Sequence, residues 1–412
     1  MDRYFVDIVF WEEIMKKIVT MISALLALAM LFSFTASADH TTVKWISPTD
    51  YTPPIDDYAY AFAVLGDTQI LTREDGGAHA VTTKKTAYTK ALYDWLVANV
   101  ETKKIKYVMG VGDICEMSYD SGEWAVAKEQ IMRLNGVVPY SLVRGNHDDS
   151  AWFMREVGVE NPDYMATIEG GYGVAREQML NNYRTIEVCG IKYLIMVLDY
   201  YPTDEVLEWA GQVITDHPEH RVIITTHSYI RSGGALITSY DTKYAPHGGN
   251  NGQEMWDKLV KKHENIFMVI CGHVGNDDIL VKQQRGEKGN IITTLLIDPQ
   301  DIDEGYVRTA KEDPAGMVAL LYFSNDGQRV YYEYYSTIRD LYVDQKTKSS
   351  KISNASAIVT TTGEVVETTA APETTAESTE KSGCGSTLSI VALPVTIAAL
   401  GTAVLGTKKR ER

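Results

Sequence analysis

Through the middle of the chain, short apolar runs of strand length alternate with stretches of helical period, and a Gly, Asp, Asn or His stands close to where many of the runs end. Tyr58 to Gly66 reads as a buried strand. Thr86 to Val100 sets Leu92, Trp95, Leu96 and Val100 on one helical face, and Lys106 to Gly112 is the next strand. Glu123 to Leu134 (helix) and Pro139 to Val143 (strand) continue the series. Strands are expected again at Tyr193 to Leu198, Arg221 to Thr226, Ile266 to Cys271, Ile291 to Ile297 and Met317 to Phe323, and helices at Thr203 to Asp216 and Gln253 to His263. This alternation confines the chain to an α/β sheet architecture. Gly327 to Ser336 is a Tyr-rich strand with no helix after it; packing is the stronger reading of Tyr331, Tyr332, Tyr334 and Tyr335 than a substrate groove, with one face core and the other surface.

The chemistry-bearing residues follow strands. Gly66-Asp67-Thr68-Gln69, Gly112-Asp113-Ile114-Cys115-Glu116, Arg144-Gly145-Asn146-His147-Asp148, Thr226-His227 and Cys271-Gly272-His273-Val274-Gly275 each close an apolar run. One at a time, these are ordinary: a Gly-Asp pair makes a turn or a helix cap, and a single His after a strand is commonly a satisfied loop residue. Five in this order are another matter, because side chains at the carboxyl ends of strands in an open α/β sheet converge on one crevice.

The ordered set resembles that of the calcineurin-like metallophosphoesterases, whose pattern runs D-x-H, G-D-x-x-[DE], G-N-H-[DE], H and G-H-x-H. The Gly-Asn-His-Asp element is its most specific part, and the resemblance spans Asp67 to at least Gly275. It implies a four-layer αββα sandwich with two divalent metals at one end, and hydrolysis of phosphate mono- or diesters by metal-bound hydroxide attacking phosphorus. By the same resemblance Asp113 bridges the metals, Asn146, His227 and His273 complete the second, and Asp67 and Gln69 belong to the first. His147 lies by the leaving group, with Glu116 as its carboxylate partner. The residue types suit that chemistry, since paired cations activate a shared water and clamp phosphoryl oxygens, while neutral imidazoles and an amide oxygen complete the coordination without excess charge. Arg144 has two open readings, a bidentate phosphate ligand or a salt bridge tethering its loop.

Two positions depart from the pattern. Gln69 stands where the family has His, and Gly275 replaces the last His; both fall on the first metal. Gln still offers an amide oxygen, so an oxygen-rich first site favours Mn²⁺ or Mg²⁺, against Mn²⁺, Fe²⁺ or Zn²⁺ at the second. Asp277 and Asp278 are candidate replacements, although a polar turn is the plainer reading of both. The departures also keep an alternative open, a catalytically weak or inactive surface protein that binds a phospho-ligand through one metal. A purely structural surface protein would leave the five motifs without a purpose.

The two ends read as addresses around one folded unit. Met15 to Ala38 has the form of a secretory signal, with Lys16 and Lys17, an apolar run to Phe34 and Ala36-Ser37-Ala38 at its end, against a retained membrane helix as the competing reading. The true start is then Met1 or Met15. Residues 39–57 lead into a metallophosphoesterase-type domain over 58–345, and 346–382 form a Thr/Ala/Glu-rich stalk. Residues 383–412 hold a single-pass anchor, with an uncharged run from Thr387 to Thr407 followed by Lys408, Lys409, Arg410 and Arg412. Gly383-Cys384-Gly385 before that run resembles the anchoring tails of Gram-positive surface proteins, without a sortase motif. The expectation is therefore a monomer on the extracellular face of a Gram-positive cell membrane, acting on a small phosphoester or an envelope substrate.

Composition adds exclusions. The formal charge is −16, and residues 39–351 hold 31 of the 39 Lys and Arg and 45 of the 55 Asp and Glu, so the acidity belongs to the folded unit and argues against a nucleic-acid face. The four cysteines, Cys115, Cys189, Cys271 and Cys384, make neither a disulfide framework nor a zinc ribbon. Cys115 and Cys271 beside the motifs read as buried free thiols more readily than as a pair. The segment from Asp148 to Arg184, with Trp152, Phe153 and Tyr164, is expected to form an inserted cap that selects the substrate.

Overall fold

The computed structural model describes residues 43–72, 85–240, 249–303 and 316–352. The expected signal segment and anchor lie outside these residues, as does the expected stalk beyond Ile352; its first residues instead continue the fold, Ser349–Lys351 pairing as a strand with Arg329–Ser336. Among the described residues no helix is long and apolar enough to cross a membrane.

Two sheets form the centre. In the first, β2 (Tyr60–Leu65), β3 (Ile105–Gly110) and β4 (Tyr140–Leu142) run parallel, as their helical crossovers require. On the other side of β2 the sheet continues antiparallel through β12 (Met317–Phe323), β13 (Arg329–Ser336), β14 (Leu341–Val343) and β1 (Trp45–Ile46), with β15 (Ser349–Lys351) also on β13. In the second sheet β7 (Ile191–Val197), β8 (Arg221–Thr225), β9 (Ile266–Cys271) and β11 (Ile291–Leu296) are parallel neighbours. Antiparallel β6 (Asn182–Val188) and β5 (Gly170–Gly171) extend it at one edge, and β10 (Leu280–Arg285) at the other.

Alternation along the strands explains the layering. Tyr60, Phe62 and Val64 of β2 point into one core with Tyr193 and Ile195 of β7 and Ile270 of β9, so this core lies between the sheets. Ala61, Ala63 and Leu65 point the other way, onto Leu92 and Leu96 of the helix Lys85–Asn99 and Trp124 and Ala127 of the helix Ser121–Ile131. Leu194 and Met196 of β7 do the same on the far side, against Val206, Leu207 and Ala210 of the helix Asp204–Asp216 and Met255 of the helix Gly252–Lys258. The result is a four-layer αββα sandwich. Because helices cover the outer face of the first sheet here, the Tyr-rich strand is core on both sides: Tyr332 and Tyr334 enter the inter-sheet core and Tyr335 the helical one. That corrects the expectation of one exposed face.

The segment expected as a cap is largely part of the helical layer. Its short helices Ser150–Phe153 and Pro162–Met165 flank a π-helical turn, and Phe153, Val157 and Tyr164 are buried against the same core as Trp124 and Leu142.

Candidate metal centre

The parallel strands all deliver their carboxyl ends to one rim. Asp67, His227 and His273 each stand two residues past the last residue of β2, β8 and β9, and Asp298 stands at the same offset past β11. Asp113 and Asn146 follow β3 and β4. Asp113 (φ 49°) and His273 (φ 73°) hold positive φ, which is costly for non-glycine residues and persists where surrounding structure over-determines it.

One set of donors closes on Asn146 Oδ1. His227 Nε2 lies 2.9 Å from it and His273 Nδ1 2.7 Å, while His227 Nε2 is 3.4 Å from Asp113 Oδ2. His227 Nδ1 is 2.8 Å from the Val111 carbonyl, which fixes Nδ1 as the protonated nitrogen and turns the Nε2 lone pair inward. Two imidazole nitrogens, an amide oxygen and a carboxylate oxygen thus converge, a mixed set suited to Mn²⁺, Fe²⁺ or Zn²⁺. The ligand atoms of Asp67, Asp113 and His227 all lie within 4.8 Å of one another. Burial disfavours charge on His227, but the Asp113 carboxylate outweighs it and raises the imidazole pKa; Asp113 is held down in return, against its own burial.

Gln69, Asp67 and Asp298 make up the rest of the cluster. Gln69 donates from Nε2 to Asp113 Oδ2 at 3.4 Å, and its buried Oε1 meets no donor. Asp67 accepts the His273 N–H, at 3.1 Å through Oδ2. Asp298, which no sequence motif marked, is fully buried with its carboxyl group in hydrogen-bonding reach of Asp67, and its Oδ2 meets no N–H or O–H donor. Burial first, then mutual repulsion, pushes the Asp67 carboxyl well up; burial lifts Asp298 to about 7. The orphaned oxygens of Asp298 and Gln69, buried beside the Asp67 and Asp113 carboxylates, want a cation, so these residues fit a divalent ion. Asp278, weighed from the sequence as a replacement ligand, instead accepts the Lys346 N–H at 2.9 Å.

His147 borders this cluster. Its N–H donates to Asp113 Oδ1 at 2.8 Å, and its Nδ1 is 3.0 Å from the Glu116 carbonyl and 3.5 Å from Glu116 Oε2. Burial lowers the His147 pKa, yet Asp113 and the Glu116 carbonyl more than compensate, and it rises. Two carboxylates build the loops, Asp148 of the Gly-Asn-His-Asp element and Glu123, which no motif marked. Asp148 accepts N–H groups from Ile114, Cys115 and Gly145 at 2.9–3.0 Å, locking the Asp113 and Asn146 loops together. Glu123 accepts the Glu116 and Met117 N–H groups, both at 2.9 Å. Of the two readings of Arg144, the geometry takes the tether: its guanidinium grips Asp199 through Nε (2.7 Å) and Nη2 (3.0 Å), with Nη1 on the Asp148 carbonyl. Cys115 and Cys271 are free and buried.

A family model described as calcineurin-like phosphoesterase matches residues 60–287, more than half of the chain, and the protein belongs to that family of metallophosphoesterases. An uncharacterized protein of Bacillus subtilis (strain 168), YvnB, is 26% identical over 315 residues, 73% of this chain and 22% of that protein. A probable cyclic nucleotide phosphodiesterase of Moraxella catarrhalis (strain BBH18) is 26% identical over 165 residues, 38% of this chain and 52% of that protein. The chain therefore spans between about a fifth and a half of the length of these relatives. Among solved structures, a purple acid phosphatase from yellow lupin (Lupinus luteus) seeds aligns with a TM-score of 0.40 at 16% identity, over 74% of this chain and 55% of that one.

Proposed function

We propose that the protein is an extracytoplasmic hydrolase of phosphate mono- or diesters that works with two divalent metals. The observation that carries this reading is the convergence of Asn146, His227, His273, Asp113 and Asp67 from five separate strand ends, with His147 at its border. When bound, the cations would polarise the phosphoryl oxygens and acidify water.

The chain's own residues would do the rest. Asp113 serves both sides of the cluster, and its position is fixed by the His147 N–H. His227 presents Nε2 because Val111 holds Nδ1. His147, its pKa raised, would carry a proton at Nε2 to the leaving alkoxide, while the Glu116 carbonyl and carboxylate orient the ring through Nδ1. Arg144 would act at a distance by holding its loop through Asp199.

The name of the Moraxella catarrhalis relative supports including diesters among the substrates. The apolar run ending in Ala36-Ser37-Ala38 and the basic tail after Thr407 support placement outside the cytoplasm with a membrane anchor. The test is hydrolysis of para-nitrophenyl phosphate and bis-para-nitrophenyl phosphate by the purified full chain with added Mn²⁺. Turnover abolished by His273→Ala supports the proposal; no turnover with any of Mn²⁺, Mg²⁺, Fe²⁺ or Zn²⁺ overturns it. Gln69 and Gly275 favour a second reading, retention of a phospho-ligand through one metal without turnover, which calorimetry with inorganic phosphate separates from the first.

A further inference from the structure

Gly275 leaves the first metal without the imidazole that the family pattern places there, and the residue after it points to what takes over. Asn276 donates its N–H to the Asp298 carbonyl at 2.8 Å, so the turn that lacks a ligand is pinned to the residue that carries a spare carboxylate. Three further observations place that carboxylate at the site. Asp298 follows β11 at the same two-residue offset at which Asp67, His227 and His273 follow their strands. Its chain segment is drawn close by Gly66, where a Cβ would stand 2.3 Å from Pro299 Cδ and 2.8 Å from the Ile297 carbonyl, so only glycine beside Asp67 allows the approach. Its Oδ1 accepts the Gln300 N–H at 3.0 Å, whereas Oδ2 is buried without a donor and the carboxyl group lies in reach of Asp67.

A carboxylate is acceptor-only, so two of them side by side in a dry site are stable only with a cation or a proton between them. Gln69 Oε1 is a second buried oxygen without a donor, on a side chain that already reaches Asp113. We infer that Asp298 is a direct ligand of the first metal, replacing the histidine absent at Gly275 and completing an all-oxygen set with Asp67, Gln69 and Asp113. The family match ends at residue 287, so this ligand comes from beyond it. Such a set takes a hard divalent ion, Mn²⁺ or Mg²⁺, in preference to Zn²⁺. The inference rests on the two-metal reading above, and the experiment separates the two.

The full chain, stripped with a chelator, is equilibrated with Mn²⁺, and bound metal per chain and the Mn²⁺-induced rise in melting temperature are measured for the unmodified chain, Asp298→Asn and Asp298→Ala. Two ions are expected on the unmodified chain. Each variant should keep one and bind the other at least about tenfold more weakly, the loss seen on removing even an outer-shell partner of a metal ligand. Asp298→Asn, which keeps an acceptor for the Gln300 N–H, should melt no lower than the parent without metal, since a repelling buried carboxylate is gone, and both variants should gain less on adding Mn²⁺. Two ions bound with unchanged affinity in Asp298→Ala overturn the assignment of Asp298 alone. A parent that binds no Mn²⁺ overturns the metal reading of the whole cluster and this inference with it.

Discussion

Gly145→Ala tests how tightly the two central motif loops are built into one another. A Cβ at Gly145 would stand 2.1 Å from Asp113 Oδ1 and 2.3 Å from Asp113 N. Side-chain carbons essentially never approach other atoms closer than 3.0 Å, so the methyl group demands a relative shift of about 0.9 Å. Asp113 has nowhere to yield: its Oδ1 takes the His147 N–H at 2.8 Å, its Oδ2 faces His227, and its backbone is already at φ 49°. Gly145 is in turn held by the Asp148 carboxylate at 3.0 Å. Overpacking of this kind costs about 1–3 kcal/mol of stability. The larger effect is on activity, because a misplacement of about 1 Å at a reacting centre costs on the order of 100-fold in rate. Urea denaturation and kcat/KM on bis-para-nitrophenyl phosphate at saturating Mn²⁺ measure the two effects. Gly233→Ala, with no atom within 4 Å of its added Cβ, is the neutral control. A Gly145→Ala enzyme within about threefold of the parent, with metal binding intact, would refute the claim that Asp113 is held in one place by its neighbours.

Glu116→Gln removes a carboxylate 3.5 Å from His147 Nδ1, so the His147 pKa should fall and the basic limb of the kcat/KM profile should move to lower pH; an unmoved limb denies Glu116 its role. Arg144→Ala should cost about 3–5 kcal/mol by stranding the mostly buried Asp199, and Asp199→Ala should add little to it in a double-mutant cycle read by urea denaturation. Additive losses would mean that Arg144 acts elsewhere. Burial lifts the Asp278 carboxyl from 3.8 to about 6. Below pH 3.8 both folded and unfolded chains hold that proton; from there to about 6 only the folded chain keeps it, so stability falls as pH rises and the loss is complete above about 6. Asp278→Asn should flatten that part of the pH dependence between pH 4 and 8, and an unchanged slope would contradict the placement of Asp278.

The buried strands were legible because they are apolar and bounded by glycine or polar residues. Ile266–Cys271 and Met317–Phe323 match the sequence reading to the residue, and both are buried throughout. β6 and β10 were not legible. Asn182–Val188 mixes Asn, Arg and Glu with its apolar residues, and Leu280–Arg285 is a largely exposed edge strand, so neither shows the pattern of a covered strand. The short helices between Ser150 and Met165 escaped notice because three or four turns of period never accumulate; only tertiary burial of Phe153, Val157 and Tyr164 fixes them. In the centre, Asp67, Asp113, Asn146, His227 and His273 stood out through glycine-flanked strand ends in a known order. Asp298 did not, because Ile-Asp-Pro reads as a strand running into a turn. Its one sequence signal was positional, an Asp just past an apolar run, as at Asp67.

The most direct test of the account is the metal dependence of phosphodiester cleavage. The full chain is stripped with a chelator and assayed on bis-para-nitrophenyl phosphate during stepwise addition of Mn²⁺. Turnover should be negligible when stripped, should recover as Mn²⁺ is added, and should not recover in His273→Ala, which loses the Nδ1 that meets Asn146. Turnover by the stripped chain equal to that of the loaded one, or equal recovery in His273→Ala, would contradict the account.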